Sequence, residues 1–306
     1  GVDFIGLSFV ESATHIEAFR KLIGGNTPRI VAKVGNQGGM DNAAEIAASA
    51  DAVMIDRGDL SVETSLHDVA LRQKRIIAAA RAHGRPVIVA TEMLHTMIQN
   101  SFPTKAEVSD ITNAVLDGCA ATMLSGETAI GAYPVESVRL MRAVVDAAEV
   151  HAQDESDQDA VALGKSIPEV IGHVIPMMCR ALPITKIVAI TRSGFAARMI
   201  AVRRPRQPIL AVSDDAAAAR SFNLIAGTTG VHCDFPFPAS SIDHIGRVLE
   251  MLWRRGLLVE SDLVLTTGVV YPHPGSRMNA LQINRISELA KSLGWRESGH
   301  AARVKG

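Results

Sequence analysis

Five short polar tips in the first half of the chain carry the groups that phosphate and carboxylate chemistry requires. They are Ser8-Phe9, Lys33-Val34-Gly35-Asn36-Gln37, Arg57-Gly58-Asp59, Thr91-Glu92-Met93 and Ser125-Gly126-Glu127-Thr128. Lys33 and Arg57 bring positive charge, and Asp59 brings a carboxylate able to hold a hard cation. Thr91, Glu92, Ser125 and Glu127 add hydroxyls and further carboxylates, while the glycine turns leave backbone N–H groups for an anion. Such a set suits a phosphorylated or carboxylated substrate. No Ser/His/Asp order and no Cys/His pair suggests a nucleophile. Taken singly, each residue reads equally as a helix cap or a surface ion pair. Their convergence on one face is what favours function.

The elements that must position these groups are apolar runs, one before each tip: Phe4-Ile5-Gly6-Leu7, Ile30-Val31-Ala32, Ala52-Val53-Met54-Ile55, Val87-Ile88-Val89-Ala90 and Ala121-Thr122-Met123-Leu124. Continuous runs rich in Val and Ile suit strands buried on both faces. Helical patterns fall between them over 14–23, 41–50, 69–83, 107–116 and 135–151. The third is closed by Gly84 with Pro86 beyond it. Repeated βα units of this length imply a parallel sheet with right-handed crossovers. Five in a row, each with a polar C-terminal tip, predict part of a (β/α)8 barrel seen at its active face. The central segment DAVMIDRGDLSVE, Asp51 to Glu63, predicts a strand that ends in an acidic turn and starts a short helix there.

The segment HAQDESDQDAVA is acidic and polar, and marks a linker over 151–163 between a barrel domain (1–150) and a second α/β domain (164–306). That domain restarts with a helix over 166–181. Strands are predicted over 186–191, 208–212, 230–235, 263–267 and 279–286, with helices over 196–202, 216–225 and 242–255, as a twisted five-stranded sheet. Thr191, Arg192, Ser193 and Gly194 fall between its first strand and a helix, where a phosphate cradle would lie or Ser193 would merely cap the helix.

Thirty-one Lys+Arg against 32 Asp+Glu leave a formal net charge of −1, so no global field draws in nucleic acid or anionic lipid. The basic run Arg203-Arg204-Pro205-Arg206 has no interleaved aromatics. Three scattered cysteines, Cys119, Cys179 and Cys233, fit a reducing cytoplasm, with no zinc or disulfide spacing. No apolar run approaches the ~20 residues of a membrane span. The chain opens on Gly1-Val2-Asp3-Phe4, and the expectation is a piece that begins inside a folded element.

The strings AKVGNQGG, RGDLSVE, QKRIIAAARAHGRPVIVATEML, PTKAEVSDITNAVLDG and MLSGETAIGAYPVESVRLM resemble the barrel of pyruvate kinase. The later strings TRSGFAARMIAVRRPRQPILAVSDD and DLVLTTGVVYPHPGS are similar to that family's C-terminal domain. The resemblance covers essentially the whole chain and implies barrel strands four to eight plus the C-terminal domain, without strands one to three or the lid. It implies phosphoryl transfer from phosphoenolpyruvate to ADP, giving pyruvate and ATP in glycolysis. It also implies Mg²⁺ or Mn²⁺, K⁺, a cytoplasmic setting and a homo-oligomer, tetrameric in the family. Lys33 matches the lysine that stabilises the transferring phosphoryl group, Asp59 the metal ligand, and Thr91 the threonine beside the enolate. The backbone around Arg57 and Gly58 matches the turn that holds the substrate carboxylate. Thr191 to Gly194, with 268–276, match an effector pocket for phosphorylated sugars or nucleotides.

One departure stands out. Where the family has Lys-Ile-Glu-Asn, this chain has Lys33-Val34-Gly35-Asn36, so a second carboxylate ligand is lost. Asp56 stands where the family has a small residue, Ser61 where it has glycine and Glu92 where it has glutamine. The expectation is that Asp56 or Glu92 replaces part of the missing charge, and that the chain by itself turns over negligibly. The alternative is a non-catalytic, pyruvate-kinase-like binding or regulatory protein. An aldolase-type barrel is argued against by the match of the second domain.

Overall fold

A computed structural model describes residues 1–25, 28–63, 65–155, 166–237, 243–269 and 278–295. The chain divides near residue 160 into two compact units. In the first, the order is β1 (Phe4–Leu7), α1 (Ala13–Ile23), β2 (Arg29–Val34), α2 (Gln37–Asp41), α3 (Ala43–Ser49), β3 (Ala52–Asp56) and α4 (Arg57–Glu63). It continues with α5 (Val69–Ala82), β4 (Val87–Ala90), α6 (Lys105–Asp117), β5 (Ala121–Met123), α7 (Gly126–Ala129) and α8 (Pro134–Glu155). The five strands form one parallel sheet in chain order, β1-β2-β3-β4-β5. This is the partial barrel that the five apolar runs predict.

Strand periodicity decides which way each side chain faces. Ile30, Ala32 and Val34 of β2, Val53 and Ile55 of β3, and Val87 and Val89 of β4 join a core with Ile16, Ile46, Ile76, Ile77, Ile111 and Val115 from the helices. That leaves Lys33 on the opposite face from the helix layer, and the β2–β3 register, Lys33 to Met54 and Val34 to Ile55, puts Gly35 beside Asp56. Helix α6 starts two residues earlier than its pattern predicts because Thr104 and Glu107 form a capping box that satisfies its first N–H groups. Helix α2 lies inside what reads as a turn; the Asn36 side chain caps it by accepting from Gly39 N at 2.8 Å. Helix α8 continues to Glu155, so the stretch expected as a linker is helical over 151–155. The remainder of that stretch lies outside the described residues.

The second unit carries α9 (Ile167–Ala181), β6 (Lys186–Ile190), α10 (Phe195–Ala201), β7 (Ile209–Ser213), α11 (Ala216–Ser221), β8 (Thr228–His232), α12 (Asp243–Arg254), β9 (Leu263–Gly268), β10 (Ala280–Arg285) and α13 (Ile286–Leu293). Its five-stranded sheet has the order β10-β9-β6-β7-β8, with β10 antiparallel to β9 and the rest parallel. Strand β8 lies earlier than its apolar pattern predicts. Its partner β7 ends at Ser213, paired with His232, so residues beyond His232 have no ladder to join. Phe235 and Phe237 instead pack against the core cluster. Among the described residues no helix is long and apolar enough to cross a membrane. The three cysteines are buried and form no disulfide.

Asp262 ties the start of this sheet together. Its carboxylate accepts from Thr185 Oγ1 at 2.7 Å, Lys186 Nζ at 2.8 Å and Val259 N at 2.7 Å. Burial pushes the carboxyl pKa up, but those three donors outweigh it and hold it below its ordinary value. A depressed folded-state pKa stabilises the fold above the unfolded value, about 3.9, and that contribution fades as pH falls through the folded value. Asp262→Asn is therefore expected to cost about 2 kcal/mol at pH 7. In urea unfolding the gap to the native chain should narrow as pH falls below the unfolded value.

Candidate functional site

Strands β2, β3 and β4 end side by side, and their tips bring the expected residues together. Lys33 Nζ lies 3.1 Å from Asp56 Oδ2. The other Asp56 oxygen, Oδ1, is 3.4 Å from Thr91 Oγ1 and 3.5 Å from Asp59 N. Gly58 N donates to Thr91 Oγ1 at 2.9 Å. Lysine, aspartate, threonine and the α4 turn thus form one connected group. The anion that the turn faces is this chain's own Asp56 carboxylate, placed there as the last residue of β3.

Gly35 is buried at the centre of this group. A Cβ placed on it would stand 2.9 Å from Asp59 Cβ, 3.4 Å from Asp59 Oδ2 and 3.6 Å from Asp56 Cβ. The space that a side chain at position 35 would enter is already taken by two aspartates. Of the two residues expected to supply replacement charge, Asp56 lies in the group, whereas Glu92 is exposed beyond the tip of β4. Among the described residues no group of three or more His, Cys, Asp or Glu side chains converges for a metal. Mg²⁺, however, is commonly held by one or two carboxylates plus substrate oxygens, and Asp56 and Asp59 meet that smaller requirement. The donor chemistry fits.

Arg57 behaves differently from the sequence expectation of a cation at the mouth. Its side chain is buried, donating from Nε at 3.1 Å and Nη2 at 2.6 Å to Thr91 O, while Nη1 contacts Asp110 Oδ2. The guanidinium is used internally, and only the backbone of the turn faces the site. Asp110, on α6, carries no sequence signal for this role, because 53 positions separate it from its partner. Glu127 is also internal. Only 2% exposed, it accepts from Leu94 N at 2.9 Å and from Ser125 N at 2.8 Å, joining the loops after β4 and β5.

In the second unit Thr191 is buried at the end of β6, its N–H bonded to Val212 O. Arg192 is exposed but paired through Nε and Nη2 with Asp214, and Nη2 also reaches Phe237 O at 2.7 Å. Burial pushes the Asp214 carboxyl up, yet Phe237 N–H and Arg192 hold it below its ordinary value. The N-cap of α10 is Gly194, at φ 74°, and no side chain caps it, so Ser193 does not cap the helix. Ser193 O accepts from Arg198 Nη1 at 2.9 Å. Residues 270–276 of the expected pocket lie outside the described residues.

Two family models match the chain: pyruvate kinase, barrel domain, over residues 1–138, and pyruvate kinase, alpha/beta domain, over residues 169–284. A pyruvate kinase of Thermoplasma acidophilum is 36% identical over 274 residues, covering 89% of this chain and 49% of that protein. One of Geobacillus stearothermophilus is 36% identical over 301 residues, 96% of this chain and 51% of that protein. Pyruvate kinase 2 of Synechocystis is 38% identical over 229 residues, 74% and 38% respectively. The chain spans about half the length of the first two relatives.

The internal role of Glu127 has a measurable consequence. Glu127→Gln keeps the shape but presents an amide nitrogen to one of two backbone donors, and is expected to cost about 2 kcal/mol in urea unfolding.

Proposed function

The chain belongs to the pyruvate kinase family, and from that premise we propose that its first unit contributes to phosphoryl transfer from phosphoenolpyruvate to ADP. The observation that carries the reading is the meeting of Lys33, Asp56, Gly58, Asp59 and Thr91 at the C-terminal tips of adjacent parallel strands. In barrel and open α/β enzymes that end of the sheet is where ligands react.

In this reading the Lys33 ammonium leaves Asp56 for the phosphoryl oxygens, where charge accumulates as the bond to the enol oxygen breaks and the bond to ADP forms. The Gly58 turn orients the substrate carboxylate. Thr91 Oγ1 sits beside the enolate left behind and helps deliver the proton that its methylene carbon takes up, giving pyruvate. Asp59 and Asp56 would hold the divalent cation, which supplies charge neutralisation when bound. Asp56 takes the role that a side chain at position 35 cannot, because Gly35 leaves no room for one. We extend the reading to Thr191, Arg192, Ser193 and Gly194 as an effector loop, in which a ligand phosphate displaces Asp214 from Arg192.

A second reading is a protein that keeps the fold for binding without turnover. It is favoured by the Lys33–Asp56 ion pair, which occupies both the amine and one carboxylate. Two measurements separate the readings. Mn²⁺ binding followed by electron paramagnetic resonance should weaken at least ~10-fold in Asp56→Ala and Asp59→Ala and stay unchanged in Glu92→Ala. A coupled pyruvate assay on the longest reading frame that contains this chain should show turnover, falling ~100-fold or more in Lys33→Met. Metal binding without turnover would favour the second reading. For the effector loop, a phosphorylated sugar should raise the melting temperature with ligand concentration, and Arg192→Ala should abolish the rise.

A further inference from the structure

Thr91 and Glu92 are consecutive non-glycine residues with positive φ, 66° and 53°. A β-branched residue in that region is strained and stays there only if its surroundings hold it. The holding contacts are on both sides of Thr91. Its carbonyl oxygen accepts two N–H bonds from Arg57, from Nε at 3.1 Å and Nη2 at 2.6 Å. Its hydroxyl accepts from Gly58 N at 2.9 Å and lies 2.6 Å from Ala90 O, within 3.4 Å of Asp56 Oδ1. The Arg57 fork is itself fixed. Its side chain is 8% exposed, and its remaining edge, Nη1, is taken by the Asp110 carboxylate.

We propose that Asp110 is a positioning residue for the site: by orienting the Arg57 guanidinium, it keeps Thr91 in the left-handed conformation that turns its hydroxyl toward Gly58 and Asp56. A guanidinium presents its donors in a rigid plane, so fixing one edge fixes the direction of the others. Without Asp110 the fork can rotate about its stem, the pair of hydrogen bonds to Thr91 O is lost, and the strained residue relaxes to negative φ. The carbonyl then swings and the hydroxyl leaves the Gly58 N–H. Asp110 acts from α6, through Arg57 and Thr91. The proposal rests on the functional reading only in treating Thr91 as a site residue.

The test is nuclear magnetic resonance on the 306-residue chain. Two signals report the geometry: the Thr91 Cα and Cβ shifts with the amide coupling, which read φ, and the hydrogen-exchange rate of the Gly58 amide. Asp110→Ala is expected to shift Thr91 out of the left-handed signature and to speed Gly58 exchange at least ~10-fold. Asp110→Asn retains an acceptor for Nη1 and should leave both signals near the native values. Arg57→Lys keeps the charge beside Asp110 but loses the fork, and should reproduce the effect of Asp110→Ala. Asp117→Asn removes a different α6 ion pair, to Lys74; as a control it should change neither signal. The proposal is overturned if Thr91 and Gly58 are unchanged in Asp110→Ala or Arg57→Lys, or if Asp117→Asn changes them as much. Loss of the folded spectrum in both variants would assign the contact to fold stability alone and overturn it too. Neither readout depends on turnover, so failure of the positioning role and failure of the proposed reaction remain distinguishable.

Discussion

Asp56 is the charge on which the first unit's site depends. It closes β3 between the ammonium of Lys33 from β2 and the hydroxyl of Thr91 from β4. The three groups can meet only because parallel strands in fixed register bring their C-terminal tips level. At 3.1 Å and an effective dielectric constant of about 20, the gross attraction in the Lys33–Asp56 pair is roughly 5 kcal/mol, most of it offset by lost hydration. The pair is therefore strong enough to organise a tip and, in the proposed reading, weak enough for a substrate phosphate to exchange partners with the lysine. That balance is what a site for a charged substrate needs.

Gly35 and Asp56 belong together physically. They are lateral neighbours on one face of the sheet, and the Cβ missing from one lies within 3.6 Å of the Cβ of the other. A carboxylate at position 35 would compete with Asp59 for the same volume, while a carboxylate at position 56 reaches the same region from the adjacent strand. Negative charge at this spot can thus come from either strand, but hardly from both. The resemblance to pyruvate kinases places the acid on β2; in this chain it sits on β3. In the proposed reading Asp56 meets the same electrostatic requirement from a different backbone position, with Lys33 as its counter-ion.

The second unit repeats the theme of a cation held by its own chain. Arg192 at the tip of β6 is engaged by Asp214 from the end of β7 and by the Phe237 carbonyl. An exposed arginine in this state is preorganised but neutralised, and under the proposed effector reading a ligand phosphate would have to outcompete a carboxylate that already accepts a backbone N–H. Charges stored against each other in this way give selectivity at the expense of affinity, because only a ligand with more charge or better geometry displaces the internal partner.

The sequence by itself determined the order of the strands and the longer helices, the end of the sheet that carries the polar tips, and the residue types gathered there. Apolar runs of the right length and the closing glycines Gly84 and Gly118 suffice for that, since periodicity and turn chemistry are local. It also marked Gly35, Asp56, Ser61 and Glu92 as departures from the family pattern, without showing which of them touch. What only the tertiary structure decided was where each charge is directed. Arg57 reads as a ligand-facing cation but turns inward, because Thr91 O and Asp110, from elements distant in sequence, accept from its fork of donors. Glu127 reads as a mouth carboxylate but stitches two loops, because two unpaired backbone N–H groups lie beside it. Glu92 and Asp56 looked equivalent as replacements, and packing alone separated them. A side chain's type is fixed by the chain, whereas its partners are fixed by three-dimensional proximity, and for charged groups the partners decide the function.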